Sequence, residues 1–129
     1  MKDIQSEEDI QKFVHAFYEK IEKDERLGPI FNDFAGVDWE NHLPKMVDFW
    51  SKLLFRTQRY KGHPFREHLP LPIEKEDFGR WYGLFEETVD KHFEGEKAEH
   101  AKEMAGKIAS SFSVRMEMEG KFNESEERQ

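Results

Sequence analysis

Cysteine is absent from this chain of 129 residues. Its absence excludes disulfide bonds, thiolate zinc sites, iron–sulfur clusters and a cysteine nucleophile. The sequence also has no apolar run long enough to cross a membrane, and its first nine residues, MKDIQSEED, do not have the pattern of a signal peptide. We therefore expect a cytoplasmic protein that does not bind membranes.

Positively charged residues are outnumbered by negatively charged ones. The chain has 20 Lys and Arg against 28 Asp and Glu, which gives a formal net charge of −8. A surface of this sign repels phosphate backbones, so no nucleic-acid partner is expected. Glycine-rich phosphate loops, HExxH, GxSxG and EF-hand loops are missing too, which leaves the nucleotide-binding and hydrolase classes without support.

Aromatic residues, in contrast, are abundant. The chain contains 12 Phe, 3 Trp and 3 Tyr, although 37% of its residues are charged. This combination predicts an aromatic interior inside a charged shell. The length suits one domain, which we place over residues 1–118, followed by a flexible acidic tail over 119–129.

The spacing of apolar residues predicts an all-α fold with four long helices. These are expected from Ser6 to about Asp24, from about Asp38 to Leu54, from Ile73 to Phe93, and from Lys97 to Met118. Pro44 removes an internal hydrogen bond from the second of these, so regular helix is expected there only from about Asn41.

Two connecting segments are predicted to be mostly irregular. The first, from Asp24 to Gly36, contains Gly28 and Pro29 and is expected to form a loop that packs its apolar residues on the core. The second, between the second and third long helices, is rich in proline. Only a short turn, from Pro64 to His68, is expected to be helical there.

Histidine and glutamate spacing raises the first chemical hypothesis, a non-haem metal site. A helical His with Glu four residues later can present two ligands to one metal. The pattern occurs at His15–Glu19, His63–Glu67 and His92–Glu96. His63 precedes a proline and His92–Glu96 spans Gly95, so the local context weakens this hypothesis without removing it.

A second hypothesis rests on single polar residues facing aromatic helices. His68 lies between Pro64 and Pro70 and has few accessible backbone states, which suits either an axial metal ligand or an exposed polar loop residue. Tyr18, His42 and Trp81 lie on apolar helix faces. Either they point into a common pocket, or each bonds separately to the backbone.

The order of several motifs resembles the truncated haemoglobins, specifically their third group. The segments that carry the resemblance are Phe17–Tyr18, LGPIF from Leu27, Trp39–x–x–His42, Phe49–Trp50, Tyr60–x–Gly62–x–Pro64, His68–Leu69, and FGRWYGLFEET from Phe78. The third group lacks the Gly-Gly pairs of the other two groups, and this sequence has no such pair. Asp77 is a departure, since some relatives carry a different residue before the Phe.

The resemblance implies a two-over-two helical sandwich around haem b. His68 is the implied proximal iron ligand, and Tyr18, Trp81 and His42 are the implied distal residues. Further implied haem contacts are Phe31, Phe17, Met46, Phe49, Leu53 and Phe85. Haem propionates need cations, and the candidates in the segments expected at the haem edge are Lys45, Arg59 and Arg66, among which the resemblance does not choose.

The function implied in this way is binding of O₂ or another diatomic ligand at a five-coordinate iron. Oxygen transport is one form of it, although two strong donors, Tyr18 and Trp81, slow ligand escape and disfavour simple delivery. An alternative is a haem enzyme that detoxifies nitric oxide or peroxide, which then requires an external reductase. A monomer or weak dimer is expected.

Overall fold

The computed structural model describes residues 1–34, 39–60 and 73–120. Its helices are α1 (Glu7–Lys23), α2 (Leu27–Pro29), which continues into a π-helical turn (Ile30–Phe34), α3 (Trp39–Phe55), α4 (Lys75–His92) and α5 (Glu96–Met118). No strand occurs in these three ranges. The all-α prediction is therefore confirmed. The predicted turn from Pro64 to His68 and the end of the acidic tail lie outside the described residues.

The helices form two packed pairs. α1 packs on α3 and α4, while α5 packs on α4 and also contacts α3. This is the two-over-two arrangement that the resemblance implied. In the part of the chain that the structure describes, no helix is long and apolar enough to cross a membrane.

α1 shows how the sequence pattern produces a buried face. Ser6 caps the helix, since its hydroxyl accepts a hydrogen bond from the Asp9 N–H at 3.3 Å. The predicted apolar stripe is buried throughout, at Ile10, Phe13, Val14, Phe17, Tyr18 and Ile21. Acidic residues in the first turn and lysines in the last turn complement the helix dipole.

Aromatic rings join the helices at the centre of the molecule. Trp50 of α3 and Phe85 of α4 are stacked with their ring centroids 4.7 Å apart. The edge of Phe13 from α1 meets both, at centroid distances of 5.9 Å and 5.7 Å. Such ring pairs contribute about 0.5–1.5 kcal/mol each beyond the burial of their surface. The predicted aromatic interior thus connects three helices.

The prediction of a loop from Asp24 to Gly36 is wrong for most of its length, because the chain is helical from Leu27 to Phe34. Asp24 starts this segment by accepting hydrogen bonds from the backbone N–H groups of Arg26 and Leu27. Gly28 permits close packing on α1, since a Cβ atom there would lie 2.5 Å from the carbonyl oxygen of Glu22. The glycine therefore serves interhelix packing, where the sequence suggested a helix breaker.

α3 begins at Trp39, close to the predicted start at about Asp38, but it is regular helix before the predicted Asn41 and runs through Pro44 without a break. The missing N–H of Pro44 leaves the carbonyl of Glu40 without its helical donor. Both residues are exposed, so water can bond that carbonyl. The helix ends at Phe55, and the next residue, Arg56, has a φ of 61° in the left-handed region.

The start of α5 is capped by the N-terminal segment of the chain. The carboxylate of Asp3 accepts hydrogen bonds from the backbone N–H groups of Lys97 at 3.0 Å and Ala98 at 2.9 Å. Gly95 has a φ of 145°, and a Cβ atom there would collide with the Asp3 side chain. These bonds lower the pKa of Asp3, although burial by itself would raise it.

Candidate functional site

A cleft that is partly open to solvent lies between the two helix pairs. Most of the side chains that line it are aliphatic or aromatic. The lining residues are Tyr18, Leu27, Ile30, Phe31, His42, Met46, Phe49, Trp50, Ile73, Asp77, Phe78, Trp81, Ile108, Ala109 and Phe112. All three predicted distal residues, Tyr18, His42 and Trp81, are among them. The structure thus favours the common pocket over three separate core positions.

Tyr18 presents a buried phenol to this cleft. Its residue is only 7% exposed, and burial raises the pKa of its hydroxyl well above the usual range, with the nearby Tyr60 contributing in the same direction. The hydroxyl therefore stays protonated near neutral pH and is able to donate a hydrogen bond. The ring stands perpendicular to that of His42, with centroids 5.3 Å apart.

Trp81 is fixed from the core side by two buried rings. Phe17 meets it edge-on at a centroid distance of 5.5 Å, and Phe85 stacks on it at 5.8 Å with an interplanar angle of 21°. Both Phe residues are fully buried. The indole is half-buried, and its N–H is a donor without acceptor capacity.

The other predicted haem contacts divide into two sets. Phe31, Met46 and Phe49 line the cleft, whereas Leu53 and Phe85 do not belong to its lining. Phe85 lies behind Trp50 and Trp81 and supports both rings by stacking. Phe17 also supports Trp81, which it meets edge-on at a centroid distance of 5.5 Å. Helical periodicity placed these residues on the buried face, but it could not separate the cleft from the core behind it.

The predicted cations are also placed differently from one another. Lys45 is exposed on α3 and does not line the cleft. Arg59 is engaged elsewhere, because it forms ion pairs with Glu7 and, at 2.9 Å, with Asp48. Arg66 and His68 lie outside the described residues, so their predicted roles stay predictions.

Several lining residues were not singled out as site residues in the sequence. Leu27 and Ile30 belong to the segment expected to form a loop, and Ile108 and Phe112 belong to the apolar stripe of α5. The signal that could have found them was the excess of apolar residues in that segment and in the stripe. Asp77 has no such signal, although it stands in the wall of the cleft.

The non-haem metal hypothesis receives no support from the described residues. They contain no group of three or more His, Cys, Asp and Glu side chains able to hold a metal ion. Glu19 is bonded to Lys23 at 2.9 Å. α4 ends at His92 and α5 begins at Glu96, so this pair does not share a helix. The third pair, His63–Glu67, lies outside the described residues.

Comparison with known proteins identifies the family. The family model of the bacterial-like globins matches residues 2–116. The chain belongs to this family. It is 38% identical over 111 residues to the group 3 truncated hemoglobin ctb of Campylobacter jejuni, a match that covers 83% of this chain and 87% of the relative.

A solved structure agrees with this assignment. This chain matches the crystal structure of the group III truncated hemoglobin from Campylobacter jejuni with a TM-score of 0.81 and 36% sequence identity. The match covers 90% of this chain and 95% of the chain in the crystal structure. The resemblance to the third group of truncated haemoglobins is confirmed. The protein is therefore a haem globin.

The residues of the cleft fit such a cofactor. A haem is a flat and largely apolar ring, and Phe31, Met46, Phe49 and Phe78 give the cleft apolar and aromatic walls. Tyr18 and Trp81 add hydrogen-bond donors to these mostly apolar walls, where a low local dielectric constant strengthens such bonds. The cleft thus combines apolar walls with two hydrogen-bond donors.

Proposed function

We propose that this globin binds O₂ or another small diatomic ligand in the cleft, at haem b held by His68. The observation that carries the proposal is the meeting of Tyr18, His42 and Trp81 in the wall of one otherwise apolar cleft. These three polar side chains come from three helices and converge on one largely apolar space, where they are placed to bond a polar ligand.

Haem supplies the iron that coordinates the diatomic ligand. The chain supplies the hydrogen bonds. The Tyr18 hydroxyl is protonated at neutral pH, as any tyrosine with an ordinary or raised pKa is, so it donates to a ligand atom that carries partial negative charge. The Trp81 indole N–H is a second donor, held by the stacked Phe85.

His42 has a different part in this proposal. It lies in the fourth position of α3, packs against the Tyr18 ring and is half-buried. A side chain between the interior and the solvent is placed to control ligand entry. We assign it to the mouth of the cleft.

The two donors favour retention of the ligand over its delivery. A hydrogen bond to a charged or strongly polarised acceptor is worth about 1.5–3 kcal/mol, and each 1.4 kcal/mol changes an equilibrium constant about tenfold. Two such bonds slow release by orders of magnitude. The pocket therefore suits an oxygen binder with slow release.

The same donors favour a second candidate function, oxidation of nitric oxide. One NO, one O₂ and one electron give one nitrate ion, so each turnover needs an electron from outside. No flavin or nicotinamide motif occurs in the sequence, and an external reductase would have to supply that electron.

Two measurements test the proposal in sequence. A Soret absorption band in the purified protein, lost in His68→Ala, would support haem held by this residue. Stopped-flow mixing of the ferrous protein with O₂ then measures release, and mixing of the oxygenated protein with NO measures oxidation. Slow O₂ release with slow NO reaction supports the binder, whereas fast nitrate formation supports the enzyme. Rapid O₂ release contradicts the proposed role of the donors.

A further inference from the structure

Two ion pairs cross between the connection after α1 and the first turns of α4. Arg26 bonds Asp77 through both Nε and Nη2, each 2.8 Å from a carboxylate oxygen. Arg80 bonds Asp24 in the same two-pronged way, also at 2.8 Å. Each segment contributes one carboxylate and one guanidinium, and we call these four residues the crossed quartet.

The carboxylates of the quartet are buried, which makes their pairing necessary. The side chains of Asp77 and Asp24 are only 6% and 9% exposed, whereas those of Arg26 and Arg80 are 44% and 43% exposed. A carboxylate removed from water is costly unless charged donors bond it. The two segments are therefore held at the one separation that lets both guanidinium groups reach their partners.

The backbone of both segments is bonded to the same carboxylates. Asp24 accepts the N–H groups of Arg26 at 3.1 Å and Leu27 at 2.9 Å, which starts α2. Asp77 accepts the N–H of Glu74 at 2.8 Å, which closes the first turn of α4. The quartet thus fixes main chain as well as side chains.

The quartet also joins the two walls of the ligand cleft. One wall of the cleft is formed by Leu27 and Phe31, which follow the quartet residues Asp24 and Arg26 in the sequence. The other wall contains Phe78 and Trp81, which are the sequence neighbours of Asp77 and Arg80 in α4. Asp77 precedes Trp81 by four residues, so the two side chains lie on the same face of α4. Arg80 is the immediate neighbour of Trp81.

We propose that Asp77 and Arg26 are positioning residues for Trp81, and that the crossed quartet holds the indole at the distance from Tyr18 that a shared ligand requires. Phe17 and Phe85 fix the ring from the core side, and the quartet fixes the backbone that carries it. This inference rests on the proposed function, because it assigns Trp81 a ligand to contact.

The test uses the CO complex of the holoprotein, which is diamagnetic and gives two readouts. The C–O stretching band reports hydrogen bonding to the ligand, and the ¹⁵N-resolved indole N–H resonance of Trp81, assigned with Trp81→Phe, reports the indole itself. O₂ dissociation is measured alongside. The test variants are Asp77→Asn and Arg26→Gln, and Arg26→Lys keeps the charge while losing the two-pronged geometry.

We expect Asp77→Asn and Arg26→Gln to speed O₂ dissociation by about three- to tenfold. Complete loss of the Trp81 hydrogen bond should speed it by about tenfold or more, and these variants should only weaken that bond. The C–O band should shift or split, and the Trp81 resonance should move or broaden. Arg26→Lys should fall between these variants and the wild type. Glu87→Gln is the matched control, because it breaks the exposed Lys20–Glu87 pair, which joins α1 to α4 away from the quartet, and it should change none of the three readouts.

The Trp81→Phe background separates positioning from general stabilisation. If Asp77 acts through the indole, Asp77→Asn should change O₂ dissociation by less than about twofold in this background. An equal effect in both backgrounds would overturn the proposal. Should Asp77→Asn fail to hold haem, Arg26→Gln decides, since it leaves Asp77 bonded to Glu74.

Failure of the proposed function gives a different result. In that case Trp81→Phe by itself would leave O₂ dissociation and the C–O band unchanged. The indole resonance still tests the quartet: a Trp81 signal that does not move in Asp77→Asn and Arg26→Gln refutes positioning, whatever the ligand does.

Discussion

Removing the hydroxyl of Tyr18 is the most direct perturbation of the proposed pocket. Tyr18→Phe keeps the ring, and with it the packing on Phe17 at 4.9 Å and on His42 at 5.3 Å. The walls of the cleft keep their shape, so a change in ligand release reports the lost donor. The free energy of unfolding should change by about 1 kcal/mol or less, as for one hydrogen bond.

The size of the effect follows from the burial of the phenol. With 7% of Tyr18 exposed, water cannot readily replace the hydroxyl as a donor. A hydrogen bond to a strongly polarised acceptor is worth about 1.5–3 kcal/mol, which corresponds to about one to two orders of magnitude in rate if the bond is lost before release. O₂ dissociation should speed up by this factor, whereas CO, which is less polar, should respond much less.

The assay is O₂ dissociation by stopped-flow displacement with CO, with CO rebinding after a laser flash as the internal comparison. Tyr82→Phe is the matched control, because its hydroxyl bonds Glu86 at 3.2 Å and it does not line the cleft. An O₂ dissociation rate within about twofold of wild type in Tyr18→Phe, with the Soret band intact, would refute the reasoning. The tyrosine would then be a core residue bonded to the protein alone.

Three further predictions concern the cofactor, acid stability and helix capping. His68→Ala should lose haem, and its melting temperature should fall towards that of the apoprotein. His100 is exposed, so His100→Ala should keep the haem and the wild-type melting temperature. A stable Soret band in His68→Ala would contradict the assignment of His68 as the haem ligand. Burial alone would raise the pKa of Asp77, but the bonds from Arg26 and from the Glu74 N–H, together with the charges of Arg26 and Arg80, lower it, and the pKa of Asp24 is lowered chiefly by its bond to Arg80. The stabilisation that these two aspartates contribute is therefore complete above about pH 5 and is lost as the pH falls below about 3.9, the ordinary pKa of an aspartate. Asp77→Asn should lower the free energy of unfolding by about 1–3 kcal/mol at pH 7 and should flatten its decline at acid pH in a series of urea-unfolding measurements. An unchanged decline at acid pH would contradict the contribution of Asp77. Asp3→Ala should lower the free energy of unfolding by about 0.5–2 kcal/mol through loss of the α5 cap, and equal urea midpoints for variant and wild type would show that the cap contributes nothing.

The spacing of apolar residues along the sequence was sufficient to predict where the long helices lie. The steps of three and four between apolar residues predicted α1, α4 and α5 to within about two residues, because an amphipathic helix needs only its own sequence to define its buried face. The same rule failed from Leu27 to Phe34. There the helical turn depends on Asp24, which is bonded to a distant arginine, and on Gly28, which packs on the α1 backbone.

The candidate site divides in the same way. The sequence alone determined that Tyr18, His42 and Trp81 lie on apolar faces, and its motif order indicated a globin, since residue type and spacing are properties of the chain itself. The tertiary structure alone decided that Phe85 stands behind the cleft, that Arg59 is committed to Glu7 and Asp48, and that Asp77 meets Arg26. Residues 26 and 77 carry no sign of each other in the sequence, because an ion pair between distant segments exists only after the helices that carry its partners have packed.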